Sequence, residues 1–579
     1  MAARRLIEKT KQRLDKEIGT VYKPHAGKLK VALAFPNTYY VGMSSLGFQT
    51  IYKLLNDRDD VVCERVFLPE QSDIEYIASS RMPLFTMESQ TPVRSFDVLA
   101  FSISYELDYP NILKVLALSG LNEKADERDR NGPLVIAGGP AATFNPETLV
   151  SFIDVFVIGE AEEVLLELMD MLQENQDEDR AELLLRLAGI EGIYVPRFYK
   201  AVYNRDGTIR HVGAAEGVPK KVRKRWVRNL DAYTATSAIL TPETEFSNMI
   251  LAEVSRGCGR RCRFCVAGYT FLPSRARTPS AVLGGIQRIE KKIHERLIEH
   301  PRIGLISASV FDHPSSLLIC QSLLECDRLF SISSTRADTL SRDIAETLHR
   351  GGQETLTIAP EAGSDRLRQI LNKCLSDEEM LDAAASAWDG GFRRLKLYFM
   401  VGLPTENDED IEGIAGLVSR IAGTFRWEKL TVSVSCFVPK PWTPFQWAPM
   451  EDEKSLAKKI IYVRNALRKI KQVEVTGESA RESVVQGVLA RGDRRVGDAL
   501  LIINKEKISW RAAFKKAEID PYFYAQRSRN KDEIFPWDHL DLGVKKQYLW
   551  REYERAMKAL STSICAVGKC RRCGICEKI

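Results

Sequence analysis

The sequence predicts an α/β protein in three parts: a doubly wound, Rossmann-like N-terminal domain, a partial barrel of six β/α units, and a mainly helical C-terminal region ending in a cysteine cluster. Three patterns carry that reading. Between residues 29 and 160, short β-rich runs alternate with segments of helical period. From about residue 249 the alternation resumes with longer spacing, and beyond residue 450 the apolar pattern turns largely helical. Such alternation specifies parallel strands with helices laid across their faces.

The N-terminal strands are the runs LKVALAFP, VVCERVFLP, VLAFSIS, PLVIAGGP and VFVIGE, and the segments GFQTIYKLLND and YPNILKVLALSG between them have a helical period. This domain takes residues 1–215 and is closed by the acidic helical stretch around QENQDEDRAELLLRL. Residues 216–248 read as a polar, irregular linker. Its basic residues, Lys220, Lys221, Arg223, Lys224, Arg225 and Arg228, suit a solvated face or a phosphate site. The barrel takes residues 249–450, with strands MILAEVSRG, IGLISAS, FSISST, ETLTIAP, RRLKLYFMVG and KLTVSVSCFV, and its chemistry belongs at their C-terminal ends. Residues 451–579 form the helical region and its cysteine tail.

Length and composition narrow the function. A chain of 579 residues with 44% hydrophobic content has material for several globular domains. The N-terminus MAARRLIEKTKQRLDKEIGT lacks the apolar core of a signal peptide and no long apolar run follows, so a cytoplasmic protein without a membrane span is expected. A net charge of +5 is nearly neutral for this length and does not by itself call for nucleic acid. Seven of the twelve cysteines fall into two tight clusters, which argues for metal or catalytic thiols; Cys63, Cys320, Cys326, Cys374 and Cys436 are left as packing residues.

The first cluster is Cys258, Cys262 and Cys265, spaced C-x3-C-x2-C directly after the first barrel strand. The nearest following histidines, His294 and His300, fall in a helical pattern. Three thiolates can hold three corners of a four-iron cubane and leave the fourth iron free for substrate. A zinc site completed by a distant ligand is the alternative.

Phe264 stands immediately before the third cysteine, and the motif with this aromatic resembles the signature of the radical S-adenosylmethionine (SAM) superfamily. The resemblance extends from Glu253 to Trp447. It implies a [4Fe-4S] cluster whose free iron chelates the amino and carboxylate groups of SAM, and one-electron cleavage to a 5′-deoxyadenosyl radical. Where the family often has Gly-Gly-Glu against the methionine amino group, this chain has Ser307, Ala308 and Ser309, whose hydroxyls and carbonyls would substitute. Arg336 in STRAD resembles the family's polar rim. Glu361, Ser364 and Arg368 in APEAGSDRLRQILNK match a segment of methylthiotransferase-like members in which a polar residue approaches the ribose or carboxylate of SAM. Gly363 and Ser364 would open a helix there, whose terminus favours a carboxylate. The turn with Gly402 and Pro404 is a further recurrent element.

The N-terminal domain resembles the cobalamin-binding domain that precedes the barrel in a large branch of this superfamily. Gly138 and Gly139 follow one apolar strand, and Gly159 with Glu160 follows the next, at the edge where doubly wound sheets bind ligands. Glycines there would let a large ring approach the backbone. The Asp-x-His-x-x-Gly motif that gives cobalamin mutases their lower cobalt ligand is absent, as in many radical members.

The second cluster, Cys565, Cys570, Cys573 and Cys576, supplies enough thiolates for a closed zinc site or a second iron-sulfur cluster, and the short C-x2-C-x2-C spacing is ferredoxin-like. The tail is expected to owe its order to metal and to pack apart from the barrel. Together the resemblances imply a radical SAM enzyme, with cobalamin-dependent methylation of an unactivated carbon as the leading reaction. They also imply a reductant such as flavodoxin or ferredoxin, and a small-molecule, protein or RNA substrate. Two alternatives stand beside it: sulfur insertion of the methylthiotransferase kind fed by the tail cluster, and a nucleic-acid- or ribosome-associated module supported by the basic linker with Arg491, Arg494 and Arg495.

Overall fold

The computed structural model describes residues 2–80, 82–128, 132–294 and 301–577. Its N-terminal sheet contains β1 (Leu29–Phe35), β2 (Val61–Phe67), β3 (Val98–Ser102), β4 (Leu134–Gly138), β5 (Val155–Val157) and β6 (Ile193–Tyr194). The spatial order is β2-β1-β3-β4-β5-β6, with β1 to β5 parallel and β6 antiparallel to β5. Alternation along each strand puts successive side chains on opposite faces, and here both faces are buried. Val31, Leu33 and Phe35 pack with the helices Leu46–Asn56 and Ala161–Glu174, whereas Ala32 and Ala34 face the helix Tyr109–Leu118. Strand order reverses at β1/β3, so the carboxyl ends of the strands part there and leave a crevice.

All six barrel strands expected from the sequence are present: Ile250–Glu253, Ile303–Ile306, Phe330–Ile332, Thr355–Glu361, Arg394–Val401 and Lys429–Cys436. Neighbours run parallel, and a parallel bridge from Thr335 to Ile358 joins the third to the fourth. A seventh strand, Val473–Gly477, extends the sheet past residue 450 by pairing parallel with the sixth. Beyond it the helices Ala480–Arg491, Gly497–Glu506, Trp510–Lys516 and Lys546–Met557 dominate. Among the described residues no helix is long and apolar enough to cross a membrane.

Residues 216–248 are irregular, yet they are a seam rather than a tether. Thr236 bridges Ala252 on the first barrel strand, Leu240 bridges Ile18, and Val222–Arg223 pairs parallel with Leu540–Asp541. The basic run is accordingly divided. Lys220, Lys221, Arg223 and Arg228 are exposed, but Lys224 is buried and donates to the carbonyls of Thr270 and Leu272 at 2.7 and 2.9 Å. Arg225 pairs with Glu163 and Glu167.

The C-terminal region also completes the N-terminal domain. Asn145 Nδ2 donates to the carbonyls of Ala490 and Gly492 at 3.0 and 2.8 Å, and Trp442 Nε1 donates to Phe144 O at 3.1 Å. Arg491 is fully buried on carbonyl oxygens, Arg494 pairs with Glu147 at 2.9 Å, and Arg495 pairs with Asp493 at 2.5 Å. Arg491 and Arg494 thus hold the fold together, while Arg495 is 36% exposed and also donates to Gly207 O at 2.8 Å.

Candidate active site

A cavity of about 470 Å³ lies between the carboxyl edge of the N-terminal sheet and the mouth of the barrel. Gly138, Gly139, Gly159 and Glu160 line it from the sheet, and Ser255, Gly257, Ser307 and Ala308 line it from the barrel. Apolar side chains such as Leu33, Ile51, Phe101 and Leu165 form much of the wall, and no His, Cys or Met is among the lining residues. Its size lies within the range of about 300–1,000 Å³ usual for small-molecule sites.

The glycines have a packing reason of their own. Gly139 has φ +103°, and a Cβ there would come within 2.6 Å of Ile103 O; Gly159 has φ +114°, and its Cβ would meet Arg225 O at 2.1 Å. Only glycine fits either place, whatever the cavity holds.

Glu160 is the hub of an ion-pair network that welds the two domains. Its carboxylate accepts from Arg275 at 2.5 and 2.9 Å, from the Val227 amide at 2.8 Å, and lies 3.0 Å from Arg256. Arg256 also reaches Glu162 at 2.7 Å and Glu253 at 2.9 Å, and Glu253 pairs with Arg277 at 2.7 Å. Burial opposes ionisation of Glu160, but the guanidiniums of Arg275 and Arg256 outweigh it and hold the carboxyl below its ordinary value. Arg256 stands two residues before Cys258, so the network fixes the start of the cysteine loop.

The loop carrying Cys258, Cys262 and Cys265 is held by its own arginines. Arg260 pairs with Asp312 and Asp338 on the loops after the second and third barrel strands. Arg263, fully buried, donates to Ile370 O at 3.0 Å and Leu560 O at 2.6 Å. Arg261 has φ +61° and is also fully buried; its guanidinium donates to Tyr548 Oη at 2.7 Å and lies 3.7 Å from Cys573 Sγ. Burial first, then the neighbouring Cys262 and Cys258, push the Cys265 thiol up to about 12, and burial raises Cys258. Thiols so raised are poor nucleophiles on their own, and a coordinated cation is what deprotonates them, so the set suits ligation.

The remaining sequence-derived residues divide into two groups. Around the cysteines, Ser307 Oγ is 2.5 Å from Ser255 Oγ, and Arg336 lies 3.9 Å from Cys262 Sγ while pairing with Asp338. Glu361, at the end of the fourth strand, has φ +72° and accepts from buried Lys373 at 2.8 Å. A non-glycine residue in that region at a barrel strand's carboxyl end is where functional strain collects. Phe264 is half-buried against the core that includes Leu367 and Phe437.

The second group has structural partners instead. Ser309 supports Asp312 and is not a cavity residue. Ser364 caps the helix Asp365–Ile370 by accepting from Leu367 N and donates to Asp410. Arg368 is fully buried and saturated by Leu375 O at 2.6 Å, Ala362 O at 3.0 Å, Asp365 and Asp377. In this structure Ser364 and Arg368 support the loop after the fourth strand. His294 ends the helix Pro279–His294, and His300 lies outside the described residues.

The tail does not pack apart from the barrel, as expected, but against the cysteine loop. Cys565 N donates to Gly259 O at 2.9 Å, one residue from Cys258. Asn372 exchanges hydrogen bonds with both sides, donating to Arg261 O at 3.3 Å and accepting from Thr562 N at 2.7 Å. Buried Arg261 has no carboxylate against it in these contacts; Tyr548, Cys565 and Cys573 are the groups beside it. A buried guanidinium needs counter-charge. Thiolates held by a metal would provide it, so the donor set fits a metal centre. Among the described residues no three His, Cys, Asp or Glu side chains already close round a single ion.

The profile of the Radical SAM superfamily matches residues 252–418, and that of the N-terminal region of radical SAM proteins matches residues 47–196. A protein of Methanocaldococcus jannaschii, itself described as uncharacterised, is 30% identical over 488 residues, 84% of this chain and 94% of its own. The chain belongs to the radical SAM superfamily.

Other similar proteins share less of their sequence with this chain. An uncharacterised methyltransferase of Pyrococcus horikoshii is 26% identical over 292 residues, 48% of this chain and 56% of its own. The radical SAM methyltransferase TsrM from Kitasatospora setae, solved with tryptophan and a SAM analogue, is 13% identical with a TM-score of 0.47, covering 74% of this chain and 78% of its own. The cobalamin-dependent radical SAM enzyme OxsB, solved with aqua-cobalamin and SAM, is 14% identical with a TM-score of 0.46, covering 83% and 62%. At these scores the two likenesses carry no argument about this chain.

What the sequence reading missed in this candidate site is its arginine scaffold: Arg256, Arg261, Arg263, Arg275 and Arg277. The signal was present as the dense arginines of SRGCGRRCRFC and SRART.

Proposed function

We propose that the protein is a radical SAM enzyme that uses cobalamin to methylate an unactivated carbon. The observation that carries this is the shared cavity. One wall is the crevice edge of a doubly wound sheet, and the other is the barrel rim beside Cys258, so two cofactors would meet across it. When bound, the cluster supplies the electron that opens the sulfonium of SAM, and the corrinoid supplies the carrier for the methyl group. The chain's own residues hold and orient. Cys258, Cys262 and Cys265 ligate the cluster; Ser307 and Ser255 present hydroxyls at the rim; Arg336 faces Cys262 with positive charge; and the Glu361–Lys373 pair fixes the floor after the fourth strand. Leu33, Ile51, Phe101 and Leu165 would pack against a bound corrinoid, and no imidazole or thioether stands among the lining residues to ligate its metal.

No tail cysteine lines the cavity, so nothing in the geometry favours sulfur delivery into it. The test is anaerobic reconstitution with iron, sulfide and hydroxocobalamin. A corrinoid band retained through gel filtration and lost in Thr50→Trp, which fills the cavity wall, is expected, with SAM cleavage kept in both. Equal retention by the variant, or none by the unaltered protein, refutes the cobalamin assignment.

A further inference from the structure

The face around the tail cysteines is unlike the rest of the surface. Met557, Leu560, Ile564 and Val567 are 37%, 47%, 56% and 44% exposed, a run of large apolar side chains on one short segment. Between residues 555 and 572 the chain carries Arg555, Lys558, Lys569, Arg571 and Arg572 and no acidic residue. The segment is folded onto itself, so these groups form one patch: Arg572 Nη2 donates to Ser563 Oγ at 2.9 Å, Cys570 N to Ala566 O at 2.8 Å, and Arg555 Nε to Thr562 Oγ1 at 3.1 Å. An apolar centre with a mostly basic rim, bordered by exposed Glu554 and with Arg555 beside Glu552, is the form of a transient docking site, and its net charge selects an acidic partner.

The position of the patch says what that partner would exchange. Directly beneath it, Cys565 N donates to Gly259 O at 2.9 Å, and Arg261 runs from the cysteine loop to Cys573. One hydrogen bond and one peptide separate a tail cysteine from Cys258. The cavity lies elsewhere, since none of these patch residues lines it.

We propose that the 555–572 face is the docking site of an acidic, low-potential one-electron carrier protein. A single electron leaves the reduced carrier, which is oxidised, and arrives at the cluster on Cys258, Cys262 and Cys265, which is reduced; no covalent bond changes. The Cys565–Gly259 contact is the short bridge, and a redox-active centre on the tail cysteines would divide the distance. This rests on the radical-cluster reading and is independent of methyl transfer.

The test uses reconstituted full-length protein and a reduced flavodoxin with an acidic surface. Binding by calorimetry should weaken at high salt, fall at least about tenfold in Lys558→Glu/Lys569→Glu, and fall in Ile564→Ser. Iron content and dithionite-driven SAM cleavage should stay at the level of the unaltered protein. Unchanged flavodoxin affinity in both variants overturns the proposal, as does displacement of flavodoxin by a tighter-binding RNA oligonucleotide. Failure of dithionite-driven cleavage in the unaltered protein overturns the radical-cluster reading beneath it.

Discussion

Glu160→Gln removes the charge at the centre of the seam between sheet and barrel. The carboxylate is 4% exposed, and its partners Arg275 and Arg256 are 10% and 16% exposed. Arg256 keeps Glu253 and Glu162, but the other contacts of Arg275 are the neutral carbonyls of Pro273, Val227 and Phe271 and the ring face of Trp226. Removing one member of a buried pair costs about 3–5 kcal/mol; with Arg256 still paired and an amide in place of the acid, the low end applies, about 3 kcal/mol. At 1.36 kcal/mol per decade that is about 150-fold more frequent local opening. Native-state hydrogen exchange over residues 253–277 reads it directly. The carboxyl's pKa is lowered in the folded protein, so its stabilisation is fully present above the ordinary value of 4.5 and is lost as pH falls through the lowered one. The gap between the unaltered protein and the variant should therefore be widest near neutrality and close in acid. Glu160→Gln/Arg275→Met, which removes the stranded cation, should regain much of the protection. Acceleration below about tenfold at neutral pH, or a double variant no better than the single, refutes the network as the weld.

Three further outcomes are expected. Cys258→Ala, Cys262→Ala and Cys265→Ala should each abolish reductive SAM cleavage, read as 5′-deoxyadenosine, because two thiolates cannot hold a site-differentiated cubane. Burial raises the Asp108 carboxyl from 3.8 to about 6, so its ionisation destabilises the fold above that value and not below 3.8. Asp108→Asn should then stabilise the N-terminal domain by up to about 3 kcal/mol at pH 8, with the gain vanishing near pH 3.5, measured by denaturant titration at both. Truncation after Leu560 should lower iron at both cysteine sets, since it strips Arg261 of its thiol partners and removes Thr562 from Asn372; metal analysis showing an intact first cluster would contradict this.

The strands of both domains and the position of Cys258, Cys262 and Cys265 were legible because parallel strands buried on both faces leave apolar runs that local pattern exposes. Residues whose role depends on distant partners were not. Arg368 sits in a motif that suggests cofactor contact, but Asp377 and two carbonyls claim it. Gly139 and Gly159 read as room for a ring, while the nearest constraint on each is a backbone carbonyl. The seventh barrel strand, VEVTG, is short and polar enough to pass for a break between helices, and only pairing with Lys429–Cys436 makes it a strand. Arg261 and Arg263 could be seen as charges, but nothing in the local sequence says that they point to Tyr548 and Leu560.

The hydrogen bond from Asn145 to the Gly492 carbonyl spans 347 residues of chain. A ribosome adding about 5–20 residues per second needs roughly 17–70 s to cover that interval. Through that time the nascent N-terminal domain carries Asn145 and Thr148 without the carbonyls they donate to, and the Glu147 carboxylate with Tyr194 but without Arg494, since Leu489, Ala490 and Arg494 have yet to emerge. The doubly wound sheet can form early, but the contacts of Asn145 and Thr148 with the helix Ala480–Arg491 and the Gly492 carbonyl stay unmade until those residues have emerged. Ribosome-bound intermediates that end before Ala480 should therefore be the most chaperone-dependent form of this protein.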